Sequence, residues 1–165
     1  MKTLILVRHA KSSWDDVSLS DFERPLNDRG KNDAPKMAKR LLNKNIDIDI
    51  FISSPARRAK KTAGYFIKEY NRNTDEIIFV SALYDAGIEN FMQTVKEIKD
   101  TYDSAAIFSH NPGITYFANQ LIENAQIDNM PTCSVFGVKA KVEKWKDFIK
   151  AKKEFLFFDY PKNEQ

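Results

Sequence analysis

Apolar positions along this chain follow two alternating rhythms. Short unbroken runs rich in β-branched residues alternate with stretches where apolar residues return every three or four positions. Residues 3–7 (TLILV) form the first run, the pattern of a strand buried on both faces. Residues 28–44 place Ala34, Met37, Ala38, Leu41 and Leu42 on one face of a predicted helix, with Asn27 as its N-cap. Residues 49–53 (DIFIS) predict a second strand. Ser54 and Pro55 then open a predicted helix, with proline at its tolerated first position. Ala59, Thr62, Ala63, Phe66, Ile67 and Tyr70 form its inner face. A third strand is expected at 77–80, then a helix from about Glu89 to Asp100 with Phe91, Val95 and Ile98 inward. A fourth strand is expected at 105–109. The next helix starts at Asn111-Pro112, with Ile114, Phe117, Ala118, Leu121 and Ile122 inward. The tail breaks the rhythm: 133–140 and 154–160 read as two strands with no helix between, a hairpin-like or edge pair.

Four β-α units in series imply one α/β domain over residues 1–165. The expected architecture is three layers, α/β/α, around a mostly parallel sheet. Composition agrees: 42% hydrophobic residues and only 5 glycines are enough for a proper core. The net charge of +3, from 26 basic and 23 acidic residues, is too balanced to indicate a nucleic-acid partner. The densest basic run, 139–153 (KAKVEKWKDFIKAKK), has acidic residues mixed in and reads as a solvated face rather than an RNA or membrane surface. The first apolar run is too short for a secretory leader and is interrupted by Arg8, and no stretch reaches membrane-spanning length. A soluble cytoplasmic chain, with no membrane partner, is the expectation. Cys133 is the only cysteine, so no intrachain disulfide is possible, and its apolar neighbours make it a buried small hydrophobe. Two histidines and one cysteine argue against a dedicated zinc site, and no cofactor is expected.

In mostly parallel sheets the ligand sits at the carboxyl ends of the strands. The chain's polar residues cluster at those places. Arg8 and His9 follow the first strand, Arg57 and Arg58 the second, Tyr84 and Asp85 the third, and His110 the fourth. Both histidines of the chain therefore stand at predicted strand ends. Arg57 and Arg58 lie in a first helical turn, where the helix dipole disfavours cations and favours an anion. Arg8, Arg57 and the two imidazoles are expected to converge on a pocket for phosphate or a similar dianion.

The segments LVRHAKS, SSPARRAKKTA and FSHNPGI resemble, in order, the arginine-histidine, second arginine and second histidine motifs of the histidine phosphatase superfamily, with its phosphoglycerate mutase-like fold. DFERPLNDRG, LYDAG and NMPTCS resemble its short SixA-type phosphohistidine phosphatases, and the likeness runs from Lys2 to about Tyr160. The resemblance implies a role for each residue. His9 would be the nucleophile, neutral, with its far nitrogen held by a backbone carbonyl. Arg8, Arg57 and His110 would bind the phosphoryl oxygens and stabilise their charge, which leaves no part for a metal. Arg24 would be a further phosphate- or substrate-facing arginine. Asp21 would orient it or act on protons, and Ser12 would touch phosphate or be an ordinary loop residue. Arg58 matches a common basic position and is given more weight as a surface or supporting residue.

Many superfamily members carry a glutamate general acid after the third strand. Here that region reads SALYDAG, as in SixA-type sequences, and Tyr84 and Asp85 are the nearest candidates. A phosphorylated imidazole carrying a proton on its other nitrogen leaves without help, whereas an alkoxide needs an acid. The missing glutamate therefore tilts the expectation toward phosphohistidine, as on a phosphohistidine-bearing protein, or another activated phosphate. Asp85 or Asp21 could still supply a proton. A small-molecule phosphomonoesterase on the same site, and a phosphate-binding regulatory module without turnover, stay open as alternatives.

Overall fold

The computed structural model describes residues 1–124 and 126–163. Over these residues the strands are β1 (Lys2–Arg8), β2 (Ile50–Ser53), β3 (Ile78–Phe79), β4 (Ser104–Ser109), β5 (Val135–Ala140) and β6 (Lys153–Asp159). They form one sheet in the order β3-β2-β4-β1-β5-β6. β1, β4, β2 and β3 run parallel, and β5 and β6 join antiparallel. The helices are α1 (Asp28–Asn43), α2 (Arg57–Glu69), α3 (Ile88–Lys96) and α4 (Gly113–Leu121). The tail strands pair as expected, and only a 3-10 turn at Trp145–Asp147 lies between them.

The period-two alternation of the strands divides the core. Ile5, Val7, Phe51 and Phe108 pack with Ala34, Met37 and Leu41 of α1 and Phe66 and Ile67 of α2. Leu4, Leu6, Ile52 and Ile107 pack with Phe91 and Val95 of α3 and Ile114 and Phe117 of α4. Alternate residues of one strand thus face opposite helical layers. That is why the central strands must be apolar throughout. Among the described residues, no helix is long and apolar enough to cross a membrane.

Several boundaries differ from the sequence reading, and three of them have a clear local cause. α2 starts at Arg57, not at Pro55. The Ser54 hydroxyl accepts the Ala56 N–H at 3.2 Å, and this local turn precedes the first helical residue. β3 keeps two residues of the expected four because turns claim both ends. Ile77 closes the turn Thr74–Glu76, and Val80 opens the turn Ser81–Leu83. α3 stops at Lys96, and Ile98 reaches the core from a tighter turn in which its N–H donates to Val95 O.

Two glycines allow close approaches that shape the carboxyl end of the sheet. A Cβ on Gly113 would collide with the Ala86 carbonyl, so only glycine lets the loop after β3 lie against the start of α4. A Cβ on Gly30 would strike the Lys11 carbonyl, so glycine also lets the loop after β1 seat on the start of α1.

Candidate active site

β1 and β4 are parallel neighbours with Arg8 opposite Ser109, so the residues that follow, His9 and His110, emerge side by side. Their ring centroids lie 5.1 Å apart. The backbone of His9 is held on both sides. Its N–H donates to Ser109 O at 3.1 Å, and its carbonyl accepts the Cys133 N–H at 3.0 Å. Cys133 makes this contact from φ 60°, and its fully buried thiol is pushed far above its ordinary value by burial.

The His9 imidazole is almost completely buried. Its Nδ1 lies 2.7 Å from the Ala10 carbonyl. A carbonyl only accepts, so Nδ1 carries the hydrogen and Nε2 bears the free lone pair. Burial is the main cause holding the ring's pKa well below 6.5, and His110, Arg58 and Arg8 push the same way. The Ala10 carbonyl opposes them without prevailing. His9 is thus neutral, in the tautomer that presents Nε2. Thr62 braces this loop: its Oγ1 accepts the Ala10 N–H at 2.9 Å and donates to Arg58 O at 2.8 Å.

The two arginines that open α2 exchange the places expected for them. Arg57 is exposed, and its Nη1 donates to the Glu23 carbonyl at 3.3 Å. Arg58 is only 6% exposed and reaches the imidazole, with Nε donating to His9 Nε2 at 3.4 Å. It also donates to Asp21 O at 2.6 Å and Asp21 Oδ2 at 3.0 Å. The physical reason is the phase of the helix. With Arg57 as the first helical residue, Arg58 shares the inner face with Thr62 and Phe66, while Arg57 shares the outer face with Lys60 and Lys61. The spacing 58, 62, 66 was present in the sequence and carried this signal.

Arg24 is buried and converges from the 3-10 turn at Asp21–Glu23. Its Nη1 donates to Ser12 Oγ at 2.6 Å, and its Nε and Nη2 donate to Asp21 Oδ1 at 3.2 and 3.1 Å. Trp14 covers the guanidinium at 3.6 Å. Ser12 therefore holds Arg24. Arg8 donates from Nη1 to Met130 O at 2.7 Å, and its buried Nε has no hydrogen-bond partner among the described residues.

His110 Nε2 lies 2.7 Å from Ser54 Oγ, and its buried Nδ1 has no partner among the described residues. Burial and then Arg58 push its pKa down to about 3. Asp21 is the one carboxylate in hydrogen-bond contact with the cluster among the described residues. Its Oδ2 accepts the Tyr84 hydroxyl at 2.7 Å as well as Arg58. The Tyr84 hydrogen bond, then those of Arg58 and Arg24, hold it far below the usual carboxylate range. Tyr84 is pushed up in return, chiefly by Asp21, and its ring stands edge-on to His110 at 5.5 Å. Asp85 is exposed, in a left-handed turn at φ 56°.

The site thus gathers His9, His110, Arg8, Arg24 and Arg58, with Asp21 and Tyr84 tying the arginines together. Arg57 and Asp85 lie outside it. Such a cluster presents an unprotonated nitrogen nucleophile amid fixed cations, a setting for an anion at a phosphorus-like centre.

Comparison with known proteins bears on the fold and the family. The family model of the histidine phosphatase superfamily (branch 1) matches residues 4–112. An uncharacterized chloroplastic protein of Arabidopsis thaliana is 30% identical over 158 residues, covering 88% of this chain and 70% of that protein. A 2,3-bisphosphoglycerate-dependent phosphoglycerate mutase of Bartonella henselae is 31% identical over 84 residues, which span 50% of this chain and 41% of the mutase. Among solved structures, the protein histidine phosphatase SixA complexed with tungstate superposes with a TM-score of 0.83 at 19% identity, covering 98% of each chain. SixA from Agrobacterium tumefaciens gives 0.82 at 21% identity, covering 97% of this chain and 98% of the other.

Proposed function

The chain belongs to the histidine phosphatase superfamily, and we propose that it is a metal-independent phosphatase that removes phosphate from histidine on a protein through a phospho-His9 intermediate. The observation that carries this reading is the state of His9: buried, neutral, Nδ1 on the Ala10 carbonyl and Nε2 facing Arg58. Nε2 attacks phosphorus, and the bond from phosphorus to the leaving group breaks in line. Phospho-His9 keeps its Nδ1 hydrogen, so it later departs from phosphorus as a neutral imidazole when water attacks. Inorganic phosphate takes up the water's oxygen and protons. Arg8, Arg24 and Arg58 supply the positive charge that develops against the phosphoryl oxygens, the main demand of phosphoryl transfer. His110 adds a polar partner whose pKa a bound dianion would raise.

The same electrostatics support this substrate. Asp21 is held ionised by three donors, which makes it a poor proton donor. Asp85 is exposed and off the cluster. A leaving group that carries its own proton, as a phosphorylated imidazole does, suits such a site. SixA, whose fold this chain matches, is a protein histidine phosphatase, and the likeness supports the reading at the level of fold.

A small-molecule phosphomonoester is the second reading. It is favoured by the match to phosphoglycerate mutases over half the chain and by Tyr84, a hydroxyl-bearing ring that stands edge-on to His110. Comparing kcat/KM on a phosphohistidine peptide and on an alkyl phosphate separates the two. A preference for the alkyl ester would sink the first.

A further inference from the structure

Beside the catalytic cluster the surface opens into a groove of about 1020 Å³ along the outer face of α2. It begins where the turn at Asp21–Glu23 and Pro55 border the site, and it runs to Thr74 and Asp75. Four cations from α2 line it: Arg57, Lys60, Lys61 and Lys68. None has a carboxylate within ion-pair distance among the described residues. Glu23 and Asp75 are the acidic residues in its lining. Phe22, Tyr65 and the exposed edge-strand residue Phe79 supply an apolar wall, and Lys60 lies 5.4 Å over the Phe79 ring.

Two features say that this charge is not an ordinary solvated face. The first turn of α2 holds no acidic residue, although the helix dipole there favours anions over cations. The floor of the groove is Gly64, in the middle of the helix, where glycine weakens the helix. No packing demands it, since a Cβ would meet only the Thr74 methyl at 3.9 Å. Any larger side chain would rise into the groove. The helix therefore carries unpaired cations at its unfavourable end and gives up a side chain at its centre, and both favour an anionic occupant.

We infer that this groove receives an acidic segment of the protein whose phosphohistidine enters the site. The inference rests on the phosphohistidine reading above. The lysines are exposed, which suits an extended polyanion held by steering and complementarity rather than a small ligand gripped by buried donors. The apolar wall gives such a segment a place for one or two anchoring side chains.

The test uses synthetic peptides bearing one phosphohistidine, one flanked by a run of glutamates and the other by a run of serines. The wild-type protein should turn over the glutamate peptide with a kcat/KM about tenfold higher, through KM, and the preference should fade at high salt. The combined variant Lys60→Glu, Lys61→Glu, Lys68→Glu should lose the preference while hydrolysing free phosphohistidine as before. Gly64→Gln fills the floor without changing charge, and it should do the same with the helix intact. Equal kcat/KM of the wild type on both peptides would overturn the groove and leave the phosphohistidine reading standing. Hydrolysis of neither peptide, with an alkyl phosphate turned over, would overturn both. Competition by a single-stranded RNA but not by the unphosphorylated glutamate peptide would overturn the protein partner in favour of nucleic acid.

Discussion

His9 and His110 stand with ring centroids 5.1 Å apart although 100 residues separate them in the chain. Parallel pairing of β1 with β4 fixes this relationship, and both rings are held neutral in the free protein. Their chemistry differs because their partners differ. His9 gives its Nδ1 hydrogen to a carbonyl, whereas His110 meets the Ser54 hydroxyl, which can donate or accept.

Replacing His9 by alanine should lower turnover by about 10³-fold or more, the order expected when a covalent nucleophile is lost. The check is transfer of labelled phosphate from a phosphohistidine peptide, quenched in alkali, where phosphohistidine persists. Label that survives on the His9→Ala protein would remove His9 from the nucleophile's role.

The neighbouring arginines should behave unequally. Arg58→Ala should lower kcat/KM on a small activated phosphate by about 10²–10³-fold, the loss typical of one charge-stabilising donor. Arg58→Lys should recover little, because a point charge cannot reach His9 and Asp21 together. Arg57→Ala should stay within a few-fold on the same substrate. Equal losses at the two positions would contradict the geometry.

Tyr84→Phe probes proton supply. On phosphohistidine the leaving group brings its proton, and the variant should change kcat/KM only a few-fold. On an alkyl phosphate a positioned acid is worth about 10²–10⁴-fold, and any role for the hydroxyl should appear there. Asp85→Asn should be silent on both, since asparagine accepts the same left-handed turn. A large loss with Asp85→Asn on both substrates would restore Asp85 as the acid.

The buried histidines tie stability to pH. In the unfolded chain each titrates near 6.5, but His110 in the folded state titrates at about 3 and His9 well below 6.5. Between these values the unfolded chain binds more protons, so acid favours unfolding. Their stabilisation is complete above about 6.5 and is lost as pH falls toward 3. Unfolding free energy measured from neutral to acidic pH should fall more steeply for wild type than for His110→Gln, by up to about 1.4 kcal/mol per pH unit. Parallel curves would mean that His110 is not held neutral by the fold.

Vanadate and tungstate should compete with substrate, since their five-coordinate forms imitate the transition state that the proposed mechanism sets among the arginines. A chelator should leave turnover unchanged. Activity removed by EDTA and restored by magnesium would contradict cationic side chains as the source of charge stabilisation.

The sequence by itself determined the alternation of strands and helices, the parallel sheet and the strand ends where chemistry collects. These are local matters: the period of apolar residues, a proline, an N-cap. It also located Arg8, His9 and His110, because a polar residue at the end of a buried strand has one place to go, whereas Arg24 came only from the family resemblance. The choice between Arg57 and Arg58 was legible in the phase of 58, 62 and 66: neighbouring helical residues point about 100° apart, so one faces the core and the other solvent. The linkage of Asp21 to Arg24, Arg58 and Tyr84 belonged to the tertiary structure. It joins residues from three separate segments, and no spacing along a chain states which segments meet. Those distances are fixed only when the two helical layers close on the sheet.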